Sequence, residues 1–177
     1  MLTVLLGGAR SGKSTAALRL AERQVEPVIY VATSPHIDGD LDLAHRIQAH
    51  QAERPTSWAT IEVEVELAAA VTDTEGSSFV IVDCLTVWVG NLIHHHHDDD
   101  AIGSANSDAI SAVRGRTGDT VVVSNEVGFG IVPADALSRR YRDLLGRINQ
   151  QWVAASDRAC MMVAGRSIDL TELGTTP

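Results

Sequence analysis

The stretch Gly7-Gly8-Ala9-Arg10-Ser11-Gly12-Lys13-Ser14 constrains this chain more than any other. It follows the apolar run Leu2-Thr3-Val4-Leu5-Leu6 and leads into a helix-forming run from Thr15 to Ala21. The spacing G-x-x-x-x-G-K-[ST] is that of the loop which cradles phosphates between a buried strand and a helix. Gly7 and Gly12 permit backbone angles and close approaches that a Cβ would block. Successive N–H groups then face inward as an anion nest, and the helix adds its positive end. Lys13 suits the β- and γ-phosphates, and the Ser14 hydroxyl suits Mg²⁺. Lys13 is also the only lysine in the chain; the other guanidinium or ammonium side chains are all arginine. A compact point charge is kept where phosphate chemistry needs one. The reading is a nucleoside triphosphate site with Gly7, Gly8, Ala9, Arg10, Ser11, Gly12, Lys13 and Ser14 around the phosphates. Arg10 has a second reading, as a surface ion-pairing residue.

The rest of the composition narrows the class. A chain of 177 residues is expected to form one domain, over 1–177, and to bury about 70% of its unfolded surface. The formal net charge is −9, with acidic residues scattered apart from Asp98-Asp99-Asp100. That argues against a nucleic-acid partner, which calls for a basic face. The two cysteines, Cys84 and Cys160, lie beside apolar runs without a C-x-x-C. They read as buried thiols of a reducing compartment. The apolar start runs straight into the glycine loop, and no stretch approaches the roughly 18 apolar residues of a membrane span. The expectation is a cytoplasmic protein with no membrane span.

Along the chain, strand and helix patterns alternate. Val28–Ala32, Ser78–Asp83, Thr120–Ser124 and Cys160–Ala164 are short β-branched or apolar runs that read as buried strands. Part of Ser57–Glu66 alternates in the manner of a strand. Helices are expected after the loop to about Gln24, from about Asp40 to Pro55, over Leu67–Val71, Leu85–Ile93 and Ser104–Val113, and over Asp135–Ser156. The His94–Asp100 tract between two of these reads as a solvated loop, with divalent-metal binding as the alternative. The tail beyond Leu170 reads as frayed. The order implies an α/β fold of the P-loop NTPase type, a mostly parallel sheet with helices on both faces. Ligands in such folds sit beyond the carboxyl ends of the strands. The candidates there are the glycine loop, Thr33-Ser34, Asp83 and Asn125-Glu126. Asp83 reads either as a second Mg²⁺ carboxylate or as a cap on the Leu85 helix. Glu126 reads as fixing its own loop, and Trp58 as packing.

Several further stretches occur in a fixed order: Ala32-Thr33-Ser34, R-I-x-x-H-x-x-x-R-P over residues 46–55, and Trp58-x-Thr60-x-Glu62. N-E-V-G-x-G-I-V-P over 125–133 and Gly146-Arg147-Ile148-Asn149-Gln150 follow. Together with the glycine loop they resemble the bifunctional adenosylcobinamide kinase/adenosylcobinamide-phosphate guanylyltransferases of cobalamin biosynthesis, over residues 3 to about 170. The resemblance implies phosphorylation of the aminopropanol hydroxyl of adenosylcobinamide with ATP or GTP. GMP then passes from GTP to that phosphate through a covalent histidine–GMP intermediate. It places the nucleophile at His50 and nucleotide contacts at the glycine loop, Ala32, Thr33, Ser34, Gln51, Ala52, Glu53, Arg54, Glu62 and Asp83. It implies Mg²⁺ at Ser14 and Asp83, corrinoid and nucleotide substrates, and a homotrimer with sites near subunit interfaces. Residues 94–108 carry no family signature, and Pro35–Asp42 is longer and richer in Asp than the family pattern.

The residues give the same chemistry a physical footing. A histidine near its ordinary pKa of about 6.5 is mostly neutral at pH 7, so its imidazole is already nucleophilic. On a helix, Arg46 and Arg54 would flank His50 on one face, suited to phosphate oxygens. The plainer reading is a half-exposed helix histidine beside surface arginines. Two other functions remain open at this point. A small-molecule P-loop kinase without nucleotidyl transfer would move only the γ-phosphate and leave His50 dispensable. A nucleotide-dependent switch or binding module would hydrolyse slowly and have no acceptor.

Overall fold

The structure is a computed structural model, and it describes residues 1–25, 27–34 and 54–171 of the chain. The helix expected from about Asp40 falls almost wholly outside the described residues. Within them the order is β1 (Leu2–Gly7), α1 (Lys13–Ala21), β2 (Val28–Ala32), β3 (Ala59–Glu62), α2 (Leu67–Thr72), β4 (Phe79–Asp83) and α3 (Leu85–His94). Then come α4 (Asp99–Arg114), β5 (Thr120–Val123), α5 (Ala136–Ala155), β6 (Arg158–Val163) and β7 (Arg166–Asp169).

The seven strands form one sheet in the order β3-β2-β4-β5-β1-β6-β7, parallel throughout except for β7. The strand side chains divide cleanly by pleat. Val4, Leu6, Val31, Val80, Val82 and Val122 join a core with α2, α3, α4 and α5. Their neighbours Leu5, Tyr30, Ala32, Phe79, Ile81, Val121 and Val123 join a second core with Ala17, Leu18 and Ala21 of α1. With helices on both faces, neither strand face needs a polar side chain, and the runs lose their alternation. The expected architecture is therefore the observed one.

Two local expectations are corrected. The His94–Asp100 tract is no loop: His94 ends α3, a short turn follows, and α4 begins at Asp99, five residues before the expected Ser104. Asp98 caps that helix by accepting the Ala101 N–H at 2.8 Å, with Asp99 and Asp100 in the positive first turn. Among the described residues no group of three or more His, Cys, Asp or Glu is arranged to hold a metal ion, so the tract's metal reading finds no support there. The second correction is β7, which was not expected. Ala164 (φ 49°) and Gly165 (φ 74°) make the tight turn that folds Arg166–Asp169 back on β6. Its residues are too short, polar and exposed to signal a strand, as an edge position permits.

Candidate active site

The sheet register brings the expected crevice together. Glu62, Ala32, Asp83, Val123 and Leu5 form one row of paired positions across β3, β2, β4, β5 and β1. Beyond that row the chain leaves each strand toward the same edge, where the glycine loop runs from β1 into α1.

The loop itself is tightly determined. Gly7 has φ 148° and Gly12 has φ 98°, both in the region that side chains disfavour. A Cβ on Gly7 would lie 2.4 Å from the Met162 carbonyl oxygen. The β6–β7 turn supports the loop from behind, as the Gly165 N–H donates to the Ser11 carbonyl at 2.9 Å. On its other flank the Glu126 N–H donates to the Gly7 carbonyl at 3.1 Å. Lys13 is buried, and its Nζ donates to the carbonyls of Gly7 at 2.9 Å and Gly8 at 2.7 Å. Burial lowers the Lys13 pKa from its ordinary value, an effect opposed by the charges of Cys84 and Asp83. The ammonium thus stands over the loop within the field of the β4 carboxylate.

Asp83 ends β4, and its Oδ2 accepts the Tyr30 hydroxyl at 2.6 Å. Capping of the Leu85 helix is not its role: the N-cap is Cys84, and no side chain caps there. Cys84 is half-buried; burial first, then the Asp83 charge, pushes its thiol up to about 11. Cys160 is buried, as expected. Thr33 is fully buried and ties β2 to β4, its Oγ1 accepting the Cys84 N–H and donating to the Cys84 carbonyl, each at 2.8 Å. Ala32 is buried opposite Asp83, and Ser34 is half-buried at the crevice edge.

Of the 46–55 motif, Arg54 and Pro55 are described, while His50, Gln51, Ala52 and Glu53 lie outside the described residues. Arg54 lays its guanidinium over the Tyr30 ring, 3.5 Å from the centroid. Arg54, Pro55, Thr56, Trp58, Thr60 and Glu62 line a hollow of about 290 Å³ beside β3. Trp58 packs against the α1-side core, as expected, and Glu62 is exposed at the rim. Glu126 also behaves as expected, its Oε1 accepting the Gly128 N–H at 2.5 Å.

Several residues that motif reading left without a role hold this edge in place. Asn149 accepts the Ser124 hydroxyl at 2.7 Å and donates to the Asn125 carbonyl at 3.0 Å, so α5 pins the loop after β5. Thr86 accepts the Asn125 N–H at 2.6 Å. Asn91 donates to the carbonyls of Thr33 at 2.8 Å and Glu64 at 3.0 Å. Only Asn149 carried a signal, as part of the G-R-I-N-Q stretch. Tyr30 was just another β2 residue until its hydroxyl and ring found partners.

The donor set suits Mg²⁺. Ser14 lies in the first turn of α1 and Asp83 ends β4, both hard oxygen donors. Magnesium bound with a nucleotide needs only one or two protein oxygens besides phosphate and water. Among the described residues no helix is long and apolar enough to cross a membrane.

Known proteins resemble this chain over nearly its whole length. The bifunctional adenosylcobalamin biosynthesis protein CobP of Pseudomonas aeruginosa is 39% identical over 173 residues, covering 96% of this chain and 97% of the relative. The corresponding CobU proteins of Salmonella typhimurium and Escherichia coli are 35% and 34% identical over 183 residues. Each of those alignments covers 96% of this chain and 99% of the relative. Among solved structures, the RadB recombinase superposes with a TM-score of 0.54 at 14% identity, covering 90% of this chain and 73% of that one. An ATPase of a type III secretion system superposes with a TM-score of 0.54 at 11% identity, covering 99% of this chain and 58% of that one. At such identities the likeness speaks for the P-loop NTPase fold alone. The family model for cobinamide kinase / cobinamide phosphate guanyltransferase matches residues 3–170. The chain belongs to the cobinamide kinase / cobinamide phosphate guanyltransferase family.

Proposed function

We propose that one nucleotide site in this chain, a single domain over 1–177, performs both transfers of its family, with His50 as the covalent nucleophile of the second. In the first transfer the aminopropanol hydroxyl oxygen of adenosylcobinamide attacks the γ-phosphorus of ATP or GTP. The bond to the β-phosphate oxygen breaks, the hydroxyl proton passes to solvent water, and the nucleoside diphosphate leaves. In the second, a neutral His50 nitrogen attacks the α-phosphorus of GTP, pyrophosphate leaves, and the imidazole holds GMP as a phosphoramidate. A phosphate oxygen of adenosylcobinamide phosphate then takes GMP, giving adenosylcobinamide-GDP and free histidine.

The chain's own groups serve both steps. Loop N–H groups and Lys13 hold the phosphates and offset the charge that develops on the leaving diphosphate or pyrophosphate. Lys13, now donating to the Gly7 and Gly8 carbonyls, would transfer those hydrogen bonds to phosphate oxygens. Ser14 and Asp83 would hold Mg²⁺, which supplies a further positive charge on the phosphates. Gly7 to Lys13, Ala32 to Ser34, Gln51 to Arg54, Glu62 and Asp83 form the nucleotide surface. Working as a homotrimer in the cytoplasm completes the reading.

The observation that carries it is the seat of Arg54 on Tyr30, whose hydroxyl in turn holds Asp83. Arg54 closes the R-I-x-x-H-x-x-x-R-P stretch, and four residues of chain reach no more than about 14 Å. The seat of Arg54 at the crevice supports the reading of residue 50 as the nucleophile. The test is GTP labelled separately at the α- and γ-phosphates, incubated with Mg²⁺ and the enzyme, then denatured. Retained α-label that is acid-labile, base-stable and absent from His50→Ala is the expected result. Wild-type enzyme that retains no α-label would refute the covalent route.

A further inference from the structure

Tyr30 joins two parts of the crevice. On β2 it faces the α1 side of the sheet, opposite Ile81, with Ala32 opposite Asp83 one pleat further on. The Tyr30 side chain therefore lies along the sheet past the small Ala32 and reaches its diagonal neighbour, the Asp83 carboxylate. Its hydroxyl donates to Asp83 Oδ2 at 2.6 Å, and no other described residue hydrogen-bonds that carboxylate's side chain. The same ring carries the Arg54 guanidinium 3.5 Å from its centroid. Tyr30 is only 3% exposed, so neither partner can be exchanged readily for water.

We propose that Tyr30 is a positioning residue for both transfers: its hydroxyl fixes the rotamer of the Asp83 carboxylate toward the nucleotide's phosphate end, and its ring seats Arg54. The inference rests on the reading of Asp83 as the Mg²⁺ carboxylate and of the 46–55 stretch as the bearer of the nucleophile. Its physical content is that a carboxylate anchored through one oxygen presents the other in a fixed direction. Groups that orient a metal-binding carboxylate in this way typically change metal affinity by about 10- to 100-fold when removed. The guanidinium sits over the ring face, a contact that needs an aromatic ring and not merely a bulky side chain.

The two functions separate by substitution. Tyr30→Phe keeps the ring and removes the hydroxyl; Tyr30→Leu removes both. Binding of a fluorescent GTP analogue is followed against Mg²⁺ concentration, with Mn²⁺ in the GTP complex read independently by electron paramagnetic resonance. Tyr30→Phe is expected to melt near wild type and to bind nucleotide in EDTA within about 2-fold of it. It should need about 10-fold more Mg²⁺ for half-saturation. In an Asp83→Asn background, which itself weakens the Mg²⁺ response, adding Tyr30→Phe should change nothing further. An unmoved Mg²⁺ midpoint, or an effect that persists beside Asp83→Asn, overturns the hydroxyl's role. At saturating Mg²⁺, Tyr30→Leu should incorporate α-label more slowly than Tyr30→Phe, and equal rates overturn the ring's role. No α-label on wild type would strike the covalent reading itself. Normal labelling with an unmoved midpoint would strike this inference alone.

Discussion

Replacement of Gly7 by alanine measures how tightly the phosphate loop is built, and Gly8→Ala beside it is the control. At Gly7 the backbone has φ 148°, a conformation in which an L-residue costs about 1–3 kcal/mol. The added methyl would also sit 2.4 Å from the Met162 carbonyl oxygen and 2.8 Å from the Ser11 hydroxyl. The hydroxyl can rotate, but the carbonyl belongs to β6, paired with β1 at this point. Forcing the two strands apart is an overpacking cost of about 1–3 kcal/mol. Together these give roughly 2–6 kcal/mol, and a protein of this size loses about 2–4 °C of Tm per kcal/mol. Gly7→Ala should therefore melt on the order of 10 °C below wild type, as read by calorimetry without nucleotide. A Cβ on Gly8 meets nothing within 4 Å, and Gly8→Ala should melt with wild type. The nucleotide-induced rise in Tm should shrink in Gly7→Ala, because the Gly7 carbonyl also anchors Lys13 and the loop after β5. Near-wild-type melting of Gly7→Ala, or a larger loss in Gly8→Ala, would refute the reasoning.

Two further predictions concern stability away from the crevice. Arg116, just before β5, donates to the carbonyls of Glu75 at 3.0 Å and Ser78 at 2.7 Å, and also bonds the Thr74 hydroxyl. Arg116→Met strips charged donors from half-buried acceptors and should cost about 2–3 kcal/mol by denaturant melts. Its transfer rates at 20 °C should stay near wild type, because the residue lies at the amino ends of the strands, opposite the crevice; a large rate loss would contradict that placement. Asp157 accepts the Leu2 N–H at 2.6 Å and Arg114 at 3.0 Å, the backbone bond being the larger reason its pKa lies below the ordinary carboxylate value. A depressed folded pKa contributes stability above the unfolded value of about 3.9, and that contribution is lost as pH falls through the folded pKa. Tm measured against pH should fall more steeply for wild type than for Asp157→Asn below about pH 4, the gap between them closing. Parallel curves would contradict the assignment.

The sequence alone determined the sheet and the loop. Runs such as Val28–Ala32 and Phe79–Asp83 are apolar on both pleats, which fits only strands covered on both faces, and the glycine loop can join only a strand to a helix. The loop spacing likewise marked Lys13 and Ser14, and the apolar run ending in a carboxylate marked Asp83, as candidates for binding phosphate and Mg²⁺. Local capping was legible in principle: Asp98 before Asp99-Asp100 is a helix start that the neighbouring histidines obscured. Three things were decided only by the tertiary structure. β7 forms because the Ala164-Gly165 turn and pairing with β6 outweigh a weak local preference. Thr33 and Asn149 hold backbone across strands and helices far apart in the chain, and no local spacing encodes such a partner. Tyr30 meets Asp83 only because the parallel register of β2 and β4 sets them diagonally on one face, with a small residue between. Patterns of burial are written in consecutive residues, whereas contacts between strands exist only once the sheet has chosen its register.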